Sequence, residues 1–162
     1  MILLGIDPGT ATTGFGLIDV SDMSNMKSIY YGQIKTSKDH LMQDRLLKIY
    51  NSAQELIEKY APDVMVIERL FFSTNVKTAL SVGQARGVMV LAAGKYNLPL
   101  FEYTALEAKM ILTGYGRSEK EVVRAEVAKI LKIKTQIKPI DASDALAIAI
   151  CHGLKSHQAV KK

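Results

Sequence analysis

Four carboxylates stand where charge is costly. Asp7 follows a short apolar run, residues 1–6, and is followed at once by Pro8-Gly9, a strong turn signal. Glu68 closes the apolar run 64–67 in the same way. Asp141 and Asp144 lie three residues apart at the opening of a helix, a spacing that lets both point from one face. A charge at the end of a buried strand is expensive unless it is paired or metal-bound. If the two strands are neighbours and the helix crosses beside them, the four acids converge. Their charges then raise one another's pKa unless a divalent cation offsets them. Oxygen-only ligands select hard cations, Mg2+ or Mn2+ rather than zinc. Each residue also has a plainer reading. Asp-Pro-Gly is a common turn, Glu68 suits a solvated strand end, and Asp141 with Asp144 suits a helix cap and its first turn. The joint pattern, with all four at element ends, favours chemistry.

The elements that must position these acids follow from periodicity. Residues 1–6, 13–20 and 28–35 read as strands. Met42, Leu46, Ile49, Tyr50, Ala53, Leu56, Ile57 and Tyr60 then recur at helical spacing, with Ser37 or Asp39 placed to cap the start and Pro62 to stop the helix. The continuous apolar run at 64–67 suits a strand buried on both faces, as parallel strands are. A helix over Val76–Lys95, a strand over 98–103, helices over 106–113 and 118–132 around a Gly114-Tyr115-Gly116 joint, and a last helix from Asp141 complete the chain. Three strands, then alternation, then helices predict an α/β domain on a mixed sheet.

Composition bounds the function. The 162 residues suit one domain, and 48% hydrophobic content suffices for a core. A net charge of +5 makes a polyanion partner plausible and excludes an acidic tail. A single cysteine, Cys151, excludes a disulfide framework and a cysteine-rich zinc site. No apolar run spans a bilayer, and the start MILLGIDPG lacks the pattern of a signal peptide, so a soluble cytoplasmic domain is expected. The expected organisation is one domain over residues 1–155 and a short basic tail over 156–162. His40, His152 and His157 have no ligand-like spacing and read as surface residues.

Four segments together, Ile6-Asp7-Pro8-Gly9, Val66-Ile67-Glu68, Gly83-Gln84-Ala85-Arg86-Gly87 and Asp141-Ala142-Ser143-Asp144-Ala145-Leu146-Ala147, resemble the RuvC family of Holliday junction resolvases. The resemblance runs in order from Leu3 to His152. It implies a ribonuclease H-like fold: a five-stranded mixed sheet, first three strands antiparallel, with helices on both faces. It implies that Asp7, Glu68, Asp141 and Asp144 hold two Mg2+ ions, for which Mn2+ can substitute. One ion would activate a water and the other would stabilise the leaving 3′ oxygen, giving a 5′-phosphate and a 3′-hydroxyl.

The same resemblance carries further residues. Lys109 and Lys120 match the family's two functional basic positions, the first at the cleft and the second against the DNA backbone. Val122 stands where many members have glutamine. Phe71 matches an aromatic that stacks on an unpaired base at the branch point, while Phe72 suits the core. Ala79, Gly83 and Gly87 recur every four residues on a helix through which the family forms homodimers. Packing against the domain's own sheet would explain that stripe equally well. Lys129, Lys132, Lys134, Lys138, Lys161 and Lys162 form either a DNA-binding face or a solvated one. The implied partners are a four-way DNA junction, a second copy of the chain, and the branch-migration proteins RuvA and RuvB. Alternatives are a related nuclease acting on RNA or other branched DNA, an actin-like ATPase, and a non-catalytic junction-binding module. The single-domain length argues against the ATPase, and the four acids argue against the binding module.

Overall fold

In the computed structural model residues 1–69 and 76–160 are described. Three strands come first, β1 (Ile2–Asp7), β2 (Thr12–Asp19) and β3 (Lys27–Lys35). Then follow α1 (Met42–Tyr60), β4 (Val64–Glu68), α2 (Val76–Lys95) and β5 (Leu100–Tyr103). Three helices close the chain, α3 (Ala105–Thr113), α4 (Lys120–Ile130) and α5 (Ile140–Val160). The sheet order is β3-β2-β1-β4-β5. The first three strands pair antiparallel, and β1-β4 and β4-β5 pair parallel. This is the five-stranded mixed sheet expected, with helices on both faces.

Side-chain alternation divides the interior into two cores. Leu3, Ile18, Val64 and Val66 pack beneath α3, α4 and α5. Leu4, Ile6, Phe15, Leu17, Met65 and Ile67 pack beneath α1 and α2. Parity then aims the acids. Asp7 is in phase with Leu3, and Glu68 with Val64 and Val66, so both face the α5 layer.

On that face α5 lies against the strand backbone. A Cβ on Gly5 would stand 2.1 Å from the Ala145 carbonyl oxygen, and one on Gly14 2.1 Å from that of Asp141. Ala142, Ala145 and Ala149, all fully buried, give the helix its thin inner wall. Because Gly14 is the register partner of Asp7, the first turn of α5 is delivered to the end of β1.

Several boundaries differ from expectation for local reasons. The residue at the start of α1 is Leu41, and neither Ser37 nor Asp39 caps it; the Ser37 hydroxyl donates to Asp39 at 2.8 Å instead. In β5 the ladder begins at Leu100, because Pro99 has no N–H to donate and contributes only its carbonyl, to Met65 at 2.9 Å. The start of α4 moves to Lys120, since the Ser118 hydroxyl is engaged with Thr113 at 2.7 Å and the Tyr115 carbonyl at 2.8 Å. Residues 156–160, expected within a basic tail over 156–162, continue α5. His152, expected at the surface, is 5% exposed on the inner side of α5. Its Nδ1 lies 3.0 Å from the Tyr103 hydroxyl, its ring lies 4.4 Å from that of Phe101, and burial pushes its pKa down. No described helix is long and apolar enough to cross a membrane.

Candidate active site

The parallel register of β1 and β4 pairs Ile6 with Ile67, so Asp7 and Glu68 follow side by side at the ends of adjacent strands. They share a hydrogen bond. Burial, above all, pushes the Asp7 carboxyl up to about 8, and the charges of Glu68, Asp144 and Asp141 add to it. Burial also raises Glu68, against the opposing pull of Asp7's hydrogen bond and of the Lys120 and Lys109 charges. The two carboxyls therefore hold one proton between them in the hydrogen bond that joins them.

A cavity of about 360 Å3 opens over this pair. Asp144 from α5, Lys109 from α3 and Lys120 from α4 line it together with Asp7 and Glu68. Asp141 stands near enough for its charge to act on Asp7. Lys120 Nζ reaches Asp144 Oδ2 at 3.3 Å, and that carboxylate is the main cause of the raised Lys120 pKa. Each acid is thus quieted by a proton, a lysine, or distance from the others.

The donor set fits a hard divalent cation, because its candidate ligands are all carboxylate oxygens gathered at one cavity. Among the described residues no three acidic, histidine or cysteine side chains already stand in ligand geometry. The Asp7–Glu68 hydrogen bond and the Asp144–Lys120 pair engage three of the four acids.

The other expected residues divide. Phe71 and Phe72 lie outside the described residues, as do Lys161 and Lys162. Ala79 is partly buried, whereas Gly83 and Gly87 are exposed, and a Cβ on either would meet nothing within 4 Å among the described residues. Packing on the domain's own sheet therefore does not explain these glycines. Leu80, 67% exposed, and Leu91, 63% exposed, extend the stripe at the same helical spacing. Lys129 pairs with Glu126 at 3.2 Å and Lys132 with Asn25 at 2.6 Å, while Lys134 and Lys138 are exposed.

Two carboxylates near the site were not anticipated. Glu102 on β5 joins Arg86 of α2 and, at 3.4 Å, Arg69 just beyond β4. Glu107 closes a capping box with Thr104 and pairs with Lys155 at 3.0 Å. Thr104-x-x-Glu107 before an apolar run is a legible capping signature. The Lys155 partner, 48 residues away, leaves no local signal.

The family model described as "Crossover junction endodeoxyribonuclease RuvC" matches residues 3–152. A RuvC from Ruminiclostridium cellulolyticum is 48% identical over 98% of this chain and 94% of its own. One from Caldicellulosiruptor saccharolyticus is 46% identical over 96% and 94%. Among solved structures, T. thermophilus RuvC in complex with a Holliday junction substrate superposes with a TM-score of 0.93 at 30% identity, covering 98% of this chain and 96% of that one. The fold is therefore the ribonuclease H-like fold of that enzyme.

Proposed function

The chain belongs to the RuvC family of crossover junction endodeoxyribonucleases, and we propose that it cuts four-way DNA junctions at a two-cation site built on Asp7, Glu68, Asp141 and Asp144. It is an endodeoxyribonuclease that resolves Holliday junctions, and its family is one of metal-dependent nucleases. The observation that carries the site assignment is the single cavity lined by Asp7 and Glu68 from adjacent strands, Asp144 from α5, and Lys109 and Lys120. Asp7, Glu68, Asp141 and Asp144 would hold two Mg2+ ions, or Mn2+ in their place, and the bound ions would activate a water and stabilise the leaving 3′ oxygen, with 5′-phosphate and 3′-hydroxyl ends as products.

The protein's own groups do the remaining work. Asp7 and Glu68, fixed on adjacent strands, give up their shared proton and become full anions. Asp141 and Asp144 approach from α5 on a backbone that cannot shift. Lys109 holds positive charge over the Glu68 side of the cavity, toward the phosphate that is cut. Lys120 moves from Asp144 to the DNA backbone. Phe71, following β4, stacks on an unpaired base at the branch.

Ala79, Gly83 and Gly87, with Leu80 and Leu91, form the surface that meets a second copy of the chain. The dimer places two such sites on a junction of near two-fold symmetry, where each nicks one of two strands of like polarity. Branch migration by RuvA and RuvB would supply the junction in a cytoplasmic setting.

The test is cleavage of a synthetic four-way junction with Mg2+, comparing the parent with Asp7→Asn. The parent is expected to cut junctions in preference to linear duplex, and the variant to bind them without cutting. A variant that cuts as well as the parent refutes the site assignment.

A further inference from the structure

Lys109 reaches the cavity from α3, a helix of nine residues, Ala105–Thr113. So short a helix does not fix its own rotation; its neighbours must. The carboxylate two residues earlier provides such a restraint. Thr104 donates its backbone N–H to Glu107 Oε2 at 2.9 Å and its hydroxyl to the same oxygen at 3.1 Å. The other oxygen, Oε1, accepts from Lys155 Nζ at 3.0 Å. Lys155 also sits 4.8 Å over the Tyr103 ring. The hydrogen bonds from Thr104 and Lys155 hold the Glu107 carboxyl down at about 2, so it is ionised at neutral pH.

The placement is specific. Lys155 lies on α5, the helix that carries Asp144, about three turns further along. Residues two apart on a helix point about 200° apart, so drawing Glu107 toward α5 turns Lys109 the other way. Lys109 thereby faces the part of the cavity that lies beside Asp144, at the N-terminal end of α5, where its charge acts on Glu68. The pair is about one-third exposed on each side, so its worth to stability is small. An interaction that fixes rotation while adding little stability suits a positioning role.

We propose that Glu107 is a positioning residue which, through Lys155, locks α3 against α5 and so aims Lys109 across the cavity at Glu68. The proposal rests on the assignment of Lys109 to the active site, and the experiment separates the two. Single-turnover nicking of a saturating four-way junction is measured together with junction affinity and melting temperature. Glu107→Gln keeps an oxygen for the Thr104 N–H and loses the charge that Lys155 pairs with. Glu107→Gln and Lys155→Met are each expected to slow nicking about fivefold, within the range that small misplacements cost. Affinity and melting temperature stay near parental values, and Lys155→Arg restores the rate.

The deciding readout is the combination with Lys109→Met. If Glu107 acts through Lys109, adding Glu107→Gln to Lys109→Met slows nicking no further. If the two losses multiply, or if Glu107→Gln cuts at the parental rate, the proposal is overturned and Lys109 keeps its place. If Lys109→Met itself cuts at the parental rate, the Lys109 assignment falls and the proposal falls with it.

Discussion

Glycine serves opposite purposes on the two faces of this sheet. On the α5 face Gly5 and Gly14 are crowded, and any side chain there would enter the helix backbone. On the other face Gly83 and Gly87 of α2 look outward into open space. The first pair brings two elements of one chain into contact and aims acids at one another. The second leaves a smooth stripe that nothing described in this chain covers. Residue type alone does not separate these cases, because both pairs are glycines inside regular elements; the neighbour decides.

Four substitutions test that contrast. Gly5→Val should have the largest effect, since the clash is with backbone that cannot rotate away. A loss above about 3 kcal/mol is expected, read as failure to fold by circular dichroism. Asp7→Asn should come next and should raise stability. A carboxyl whose pKa is lifted from 3.8 to about 8 contributes stability that is full below the lower value and lost as pH rises through the higher. Metal-free Asp7→Asn should therefore melt several degrees above the parent at pH above 8, a gap that closes toward pH 4. Mg2+ should raise the parent's melting temperature and the variant's less.

Gly87→Ala tests the open face. Folding of the isolated chain should change by less than about 1 kcal/mol, in the stabilising direction, because alanine suits a helix interior better. Association of two copies, followed by sedimentation, should weaken. The smallest effect belongs to His152→Gln. Burial lowers the histidine's pKa, so its contribution is present above the ordinary value of 6.5 and lost as pH falls below it. The parent's melting temperature should fall on acidification from that point, and the variant's should fall less.

Most of the architecture was legible in the sequence because its signals are local. Short apolar runs and the turn at Pro8-Gly9 marked the strands, the α1 stripe marked its buried side, and Pro62 marked its end. The span of α2 agrees at both ends. The acids were legible because a charge at the close of an apolar run is a local anomaly. Contacts between distant residues were not. The burial of His152 depends on where β5 lies relative to α5, and the Glu107–Lys155 pair joins helices 48 residues apart. Ser37 and Ser118 misled for another reason. Both have the chemistry of caps, and each hydroxyl found a nearer partner.

The trough formed by Gly5, Gly14 and Gly16 has a consequence for how such a site can vary. Side chains flex, so a wall built of them lets acids drift apart or together by small steps as residues are exchanged. Here, at Gly5 and Gly14, the wall is backbone against backbone, and Ala142, Ala145 and Ala149 line that side of α5. Enlarging any of them lifts the helix and carries Asp141 and Asp144 away from Asp7. The separation of the acids is thus inherited with the trough, while the lysines of α3 and α4 reach the same cavity on longer, movable side chains.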